Sequence, residues 1–337
     1  MLKSSIKINA EREGKQTLLK ESGYNAPYKV IHYGARHLHE HLELIIMSAT
    51  PGIMEGDEID ISVNVHEGAH LKLFTQSFNK LHPMEKGAVQ RTHVQVKKDG
   101  IFRFIPHPIT PFAKSDFKAV NEIHLDESAT LIWGDIIASG RVHSGESFEF
   151  TRLHVVTKIY RNKKLVLLDN QLLEPGRQPM KSMLFFAGYT HQATLIYVSP
   201  FAAELKAELD EILVEEYEQI DFGFTQCAPN AVMLRAMGDE GAKLHDWLSA
   251  MGRLCWEFTR YKQGLEEEEP EMEQAAAPSP AEAAPVPEKP ARRTGAKRVK
   301  KGAPANKAVK PTVASPETPA EDALEKLLTQ TEAVAAP

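Results

Sequence analysis

Between Glu58 and Val65 the side chains alternate without a fault. Ile59, Ile61, Val63 and Val65 are apolar, and Glu58, Asp60, Ser62 and Asn64 between them are polar. A period of two places all four apolar groups on one face of a strand, whereas on a helix they would scatter around the axis. The segment is therefore expected to be a strand with one buried face. Turn chemistry brackets it. Thr50-Pro51-Gly52 and Glu55-Gly56-Asp57 precede it, with only Ile53 and Met54 apolar between, which suits a wide, backbone-rich turn. Glu67-Gly68 follows, and Leu71 and Leu73 resume the alternation up to Thr75-Gln76-Ser77.

The same rhythm runs through the first 200 residues. Residues 4–32 read as short strands broken at Glu13-Gly14 and Ser22-Gly23. Val94 and Val96 alternate, and Asp99-Gly100 is a hairpin signal before Ile101–Ile105. Further strands are expected at 117–125, 129–138, 148–157 and 165–173. Pro106, Pro108 and Pro111 remove three backbone donors, so 106–112 is expected to be a stiff connector. Turn signals every 8 to 15 residues or so indicate a mainly β body. Composition leaves a sandwich and a β-helix-like stack equally open.

From Phe201 the period changes. Ala202, Leu205, Leu209, Leu213 and Tyr217 recur every three to four residues after Pro200, predicting a helix near 201–218. A second helix is expected over 241–262, with an apolar stripe of Leu244, Trp247, Leu248, Met251, Leu254, Cys255 and Phe258. That stripe either packs on the sheet or meets a partner. After Tyr261 there is no aromatic residue, and eleven of the 21 prolines lie between Pro270 and Pro337. Such a segment cannot bury enough apolar surface to offset chain entropy. The chain is thus expected to divide into a β domain with two helices, 1–263, and a disordered low-complexity tail, 264–337.

Several function classes are disfavoured. The 337 residues carry a net charge of -6, which does not suit a nucleic-acid partner. The two cysteines, Cys227 and Cys255, stand in no metal-binding spacing and build no disulfide framework. No apolar run reaches the roughly 18 residues of a membrane helix, and the N-terminus has no apolar core of a signal peptide. The cytoplasm is the expected location. The sequence contains no GxSxG, HExxH, P-loop or dinucleotide fingerprint, so no enzyme activity is expected.

Two sets of polar residues stand out. On an extended strand His37, His39 and His41 would share one side. Same-face neighbours lie about 7 Å apart, too far for all three to close on one ion without further donors. A metal-dependent hydrolase using the segment 32–41 is the alternative function. The second set is acidic. Asp57 enters a strand from a turn, Asp135 interrupts the apolar run Leu131–Ile137, and Asp169 ends Leu165–Leu168. A carboxylate in an apolar strand is costly unless paired, hydrated or metal-bound. Either each is paired, Asp135 with Arg141 for instance, or the acids line a hydrated passage suited to a weakly held divalent ion.

A set of short motifs runs in order along the chain: Thr50-Pro51-Gly52, Gly56-Asp57, Thr75-Gln76-Ser77 with Lys80, Pro106, Pro108, Pro111-Phe112, Trp133, Asp135, Gly140-Arg141, Gly145-Glu146, Phe148 and Asp169. In that order and spacing, residues 30 to 200 or so resemble the UreD (UreH) family of urease accessory proteins. The resemblance implies an irregular, β-helix-like body of two layers. It implies a non-enzymatic chaperone of urease maturation that binds the urease apoprotein. Nickel would be inserted with the help of a UreF-like protein and a UreG-like GTPase, without a permanently bound cofactor. It also implies that Asp57, Asp135 and Asp169 line a transient nickel route, that Asn79 and Lys80 lie beside it, and that Arg141 and Glu146 hold the fold. Many members carry Pro-Gly-Gly where this chain has Pro51-Gly52-Ile53, which is expected to alter the turn geometry.

Overall fold

A computed structural model describes residues 2–34, 40–213 and 219–265. Its strands form two facing sheets. The first has seven strands: β1 (Lys3–Glu13), β2 (Gln16–Tyr24), β5 (Glu58–Val65), β8 (Ala88–Val96), β11 (Asp116–Leu125), β13 (Arg152–Arg161) and β14 (Lys164–Leu173), in the order β14-β13-β11-β8-β5-β1-β2. The second contains β3 (Tyr28–His32), β4 (Leu42–Ser48), β6 (His70–Thr75), β9 (Ile101–Phe104), β12 (Thr130–Ala138), β15 (His191–Val198), β16 (Ile220–Ala228) and β17 (Ala231–Gly238), in the order β16-β17-β15-β12-β9-β6-β4-β3. Two short strands, β7 (Asn79–Leu81) and β10 (Ile109–Pro111), join its margin.

The connectivity explains the mixture of sandwich and helix. From β4 to β13 the chain crosses from one sheet to the other with each long strand. Each sheet therefore grows by parallel neighbours: β5, β8, β11 and β13 in one, and β4, β6, β9 and β12 in the other. This is a flattened β-helix, closed at its margins by antiparallel strands. The Asp99-Gly100 turn is accordingly not a hairpin. It carries the chain between sheets, and β8 and β9 pair with other strands. Short turns stack at this end, with Ile101 N–H donating to Ala69 O (3.0 Å) and Thr130 N–H to Gly100 O (2.9 Å).

The expected alternation of β5 is present, and Ile59, Ile61, Val63 and Val65 are buried between the sheets. The strand expected over 148–157 begins only at Arg152; Phe148 has φ +57° and belongs to the connection before it. The proline segment is a connector except at Ile109–Pro111, which pairs with β7. Strands β15, β16 and β17 went unanticipated. Helix α1 spans Ala202–Ile212, and α2 spans Gly241–Lys262. The apolar stripe of α2 is wholly buried and packs on the outer face of β12, β15 and β17 in a second core. Packing, rather than a partner, therefore accounts for that stripe. The tail from 266 and the residues His37, His39 and Tyr217 lie outside the described residues.

Candidate functional site

The two ends of the flattened helix differ. At one end the crossovers are tight. At the other the chain makes long connections, 76–87, 105–115 and 139–151, and the turn 49–57 joins them. Most of the motifs that carried the family resemblance gather at this wide end, whereas Trp133 and Asp135 lie within β12 and Asp169 within β14. Gly52 lies against the backbone of Lys80: a Cβ there would stand 2.4 Å from Lys80 O. Ile53 N–H donates to the same carbonyl (2.8 Å), and His82 N–H to Ile53 O (2.9 Å). The positive φ falls on Gly52, so Ile53 occupies the third position without strain. Arg141 donates to Glu146 (2.5 Å), and Glu146 accepts from Ala113 N–H (2.7 Å), which ties two of the long connections together.

Inside this end is a cavity of about 230 Å³ between the sheets. Ile59, Ile61 and Gln90 line it from one sheet, and Tyr28, Thr75 and Phe104 from the other. Lys80 and Asn79 also line it. Burial, and then Asp57, push the Tyr28 phenol up to about 12. Asp57 itself accepts from Leu2 N–H (3.2 Å) and Met54 N–H (2.9 Å), closing the turn before β5.

From Gln90 a row of inward polar side chains crosses the seven-stranded sheet. Thr92, Asn121, Thr157 and Asp169 stand opposite one another on β8, β11, β13 and β14. All four are buried. Gln90 Nε2 lies 3.5 Å from Thr92 Oγ1, and Asn121 Nδ2 donates to Thr157 Oγ1 (3.0 Å). Asp169 accepts from Gln171 Nε2 (2.8 Å) and from the Arg235 guanidinium (2.5 Å). Across the gap, Asp135, Thr194 and Arg235 are register neighbours on β12, β15 and β17.

Asp135 and Asp169 therefore come together, one from each sheet. Asp57 does not join them: β5 and β14 lie four strand spacings apart, roughly 19 Å. Nor does Asp135 pair with Arg141, which is engaged with Glu146. Asp135 Oδ1 is buried and has no hydrogen-bond partner. Burial, and then the charge of Asp169, raise its carboxyl to about 7, although Arg235, Gln171 and Thr194 oppose the shift. Its strand neighbours Trp133 and Ile137 belong to the intersheet core. An apolar side chain at 135 would contribute about 1.5–3 kcal/mol by burial, so packing does not explain the acid. Carboxylate, amide and hydroxyl oxygens in a row are hard donors that suit a divalent ion or water.

The histidine segment is partly described. His41 is buried, with Nε2 3.1 Å from Glu43, and its ring meets Trp256 edge-on. It is thus part of the packing beneath α2. Sequence reasoning missed Thr92, Asn121, Thr157, Gln171, Thr194 and Arg235. The available signal was a polar residue at an inward parity, such as Asn121 between Ala119 and Ile123.

A two-sheet coil with buried acids and no membrane-crossing helix among the described residues defines a class of β scaffold rather than a particular protein. The sequence comparisons narrow it. The profile of the UreD urease accessory protein family matches residues 3–274, and the chain belongs to that family. It is 32% identical over 251 residues to a urease accessory protein UreD of Flavobacterium johnsoniae, covering 74% of this chain and 90% of that one. A UreD protein of Acetivibrio thermocellus is 32% identical over 261 residues, 75% of this chain and 97% of its own. A UreH protein of Helicobacter pylori J99 is 32% identical over 221 residues, 65% and 82% of the two chains. These relatives are named as accessory proteins rather than as enzymes.

Proposed function

We propose that this protein is a non-catalytic chaperone of urease maturation in the cytoplasm. It acts on the urease apoprotein in a complex with a UreF-like protein and a UreG-like GTPase, and nickel passes along its interior without being retained. The observation that carries this reading is the inward polar row from the wide-end cavity to the Asp135–Asp169 pair, with one buried Asp135 oxygen left without a partner. A conduit needs sites that are favourable to enter yet too weak to trap, and a single partly protonated acid facing a guanidinium-bound one meets that need. Asp57 guards the turn beside the cavity rather than the pair itself.

The surface supports a protein partner. Leu165, Leu168 and Leu172 are exposed on the outer side of β14, and Met183 and Leu184 are more than nine-tenths exposed. Apolar side chains gathered on a surface mark an interaction site. The test is co-expression of the full chain with a UreF-like protein, followed by size-exclusion chromatography. A soluble complex is expected where the chain alone aggregates or self-associates. A monomer that ignores the UreF-like protein would overturn the proposal.

A further inference from the structure

The outer face of the seven-stranded sheet carries a second group of donors, unconnected with the interior row. In the parallel pair β8 and β11, His93 stands opposite Glu122, and His124 follows Glu122 by two residues on the same face. One ligand atom from each of the three lies within 4.8 Å of the other two. His124 Nε2 is 2.8 Å from Glu122 Oε1, and the His93 and His124 rings are 5.3 Å apart, centre to centre. Among the described residues, this is the one group of three His, Cys, Asp or Glu side chains so close.

The neighbours hold both rings. Tyr160, opposite His124 on β13, stacks on it at 4.8 Å with the planes 7° apart. The Gln95 amide lies 3.4 Å from His93 Nε2. Lys158 stands opposite Glu122, and with the two histidines it favours the ionised carboxylate, after the hydrogen bond from His124. The three side chains sit on strands rather than loops, so their backbones are fixed by ladders on both sides. Small side-chain rotations would bring donors 4.8 Å apart to the spacing required by bonds of about 2.0–2.2 Å.

We propose that His93, Glu122 and His124 form an exchangeable surface site for a first-row divalent transition ion. Two imidazoles and one carboxylate suit zinc, nickel or copper better than magnesium or calcium. Three protein ligands on a face open to solvent leave the remaining positions to water or to a donor from a bound protein. Binding replaces the 2.8 Å contact between His124 Nε2 and Glu122 Oε1 with bonds from both side chains to the ion.

Cobalt(II) is the probe, because its visible bands report coordination by nitrogen and oxygen. The full chain is titrated with cobalt(II) and followed by absorption and equilibrium dialysis. His93→Ala and His124→Gln are each expected to weaken one equivalent by at least about tenfold, while His66→Ala, on a tight turn elsewhere, titrates as the parent does. Far-UV circular dichroism checks that the variants keep the fold, as side chains on an outer face should allow. Binding unchanged in both variants would overturn the proposal, as would absence of binding to the parent chain. So would cobalt that survives both substitutions and is lost from a His37→Ala/His39→Ala protein.

Discussion

Arg235 bonds Asp169 at 2.5 Å and leaves the Oδ1 of Asp135, across the gap between the sheets, without a hydrogen bond. One cation thus serves two buried acids unequally. The Asp135 carboxyl keeps its proton up to about 7 in the fold, chiefly because of burial and secondarily because of Asp169. In an unfolded chain it would lose that proton near 4. Between those values the folded state binds more protons, so the contribution of Asp135 to stability falls as pH rises from 4 through 7. Asp135→Asn keeps the shape and cannot ionise. Relative to the parent, it is expected to gain up to about 3 kcal/mol on going from pH 5 to pH 8. Denaturant titrations at the two pH values measure this, and parallel pH profiles would show that Asp135 titrates normally.

The interior route makes a different demand on the same residue. Asp135→Leu fills the position with apolar volume and removes the oxygens. Urease activation in cells that supply the other accessory proteins is expected to fall several-fold, with the complex still formed on size exclusion. Full activation by Asp135→Leu would remove the acid pair from the route. Loss of soluble complex would mean that the residue serves the fold instead.

Arg235 and Asp169 should behave as a coupled pair. Arg235 is partly exposed, so Arg235→Ala is expected to destabilise by about 1–3 kcal/mol rather than by the larger loss of a fully buried pair. Most of that loss comes from leaving two carboxylates unopposed. Adding Asp169→Asn should restore part of it, and a double-mutant cycle measures the coupling. Additive losses would show that the 2.5 Å contact contributes nothing beyond its neighbours.

The strand character of this chain was legible because alternation is local: each inward residue of β5 can be read from its neighbours. The partners of each strand were not. Asp99-Gly100 signals a reversal, but whether the reversed strand pairs or crosses to the facing sheet depends on stacked turns 30 residues away in sequence. Asp135 was legible as an anomaly, yet the candidate partner near it in sequence, Arg141, is engaged with Glu146, and the cation that acts on Asp135 in the fold is Arg235 on an unanticipated strand. The polar row was hidden for the same reason, since one inward Thr or Asn per strand becomes a row only once the register is known.

Under α2 the acid limb should have its own signature. Glu43 lies among His41 (3.1 Å) and Lys72 (3.3 Å). Burial opposes its ionisation, but these two partners outweigh burial and hold the carboxyl down at about 2. A depressed folded value stabilises the protein above the unfolded value near 4.3 and ceases to do so as pH falls through 2. Stability is therefore expected to drop between about pH 4 and pH 2. Glu43→Gln should be less stable at pH 7 and flatter over that interval, as read by thermal unfolding. An acid limb of unchanged slope would place the responsible carboxylates elsewhere.

The wide end offers the sharpest steric test. Gly52 has φ +155°, and a methyl group there would meet Lys80 O at 2.4 Å. That carbonyl cannot swing aside freely, because it accepts from Ile53 N–H, and Ile53 is bridged to Leu81. Gly52→Ala must therefore either strain the turn or lift residues 51–54 from the 80–82 segment and open the mouth of the cavity. Either course is expected to cost about 2 kcal/mol, seen as a fall of several degrees in Tm. Ile53→Val trims the neighbouring side chain without touching this contact and is expected to cost only about 1 kcal/mol. If Gly52→Ala unfolds at the parental temperature, the turn is not seated on Lys80, and the cavity has a different wall from the one described.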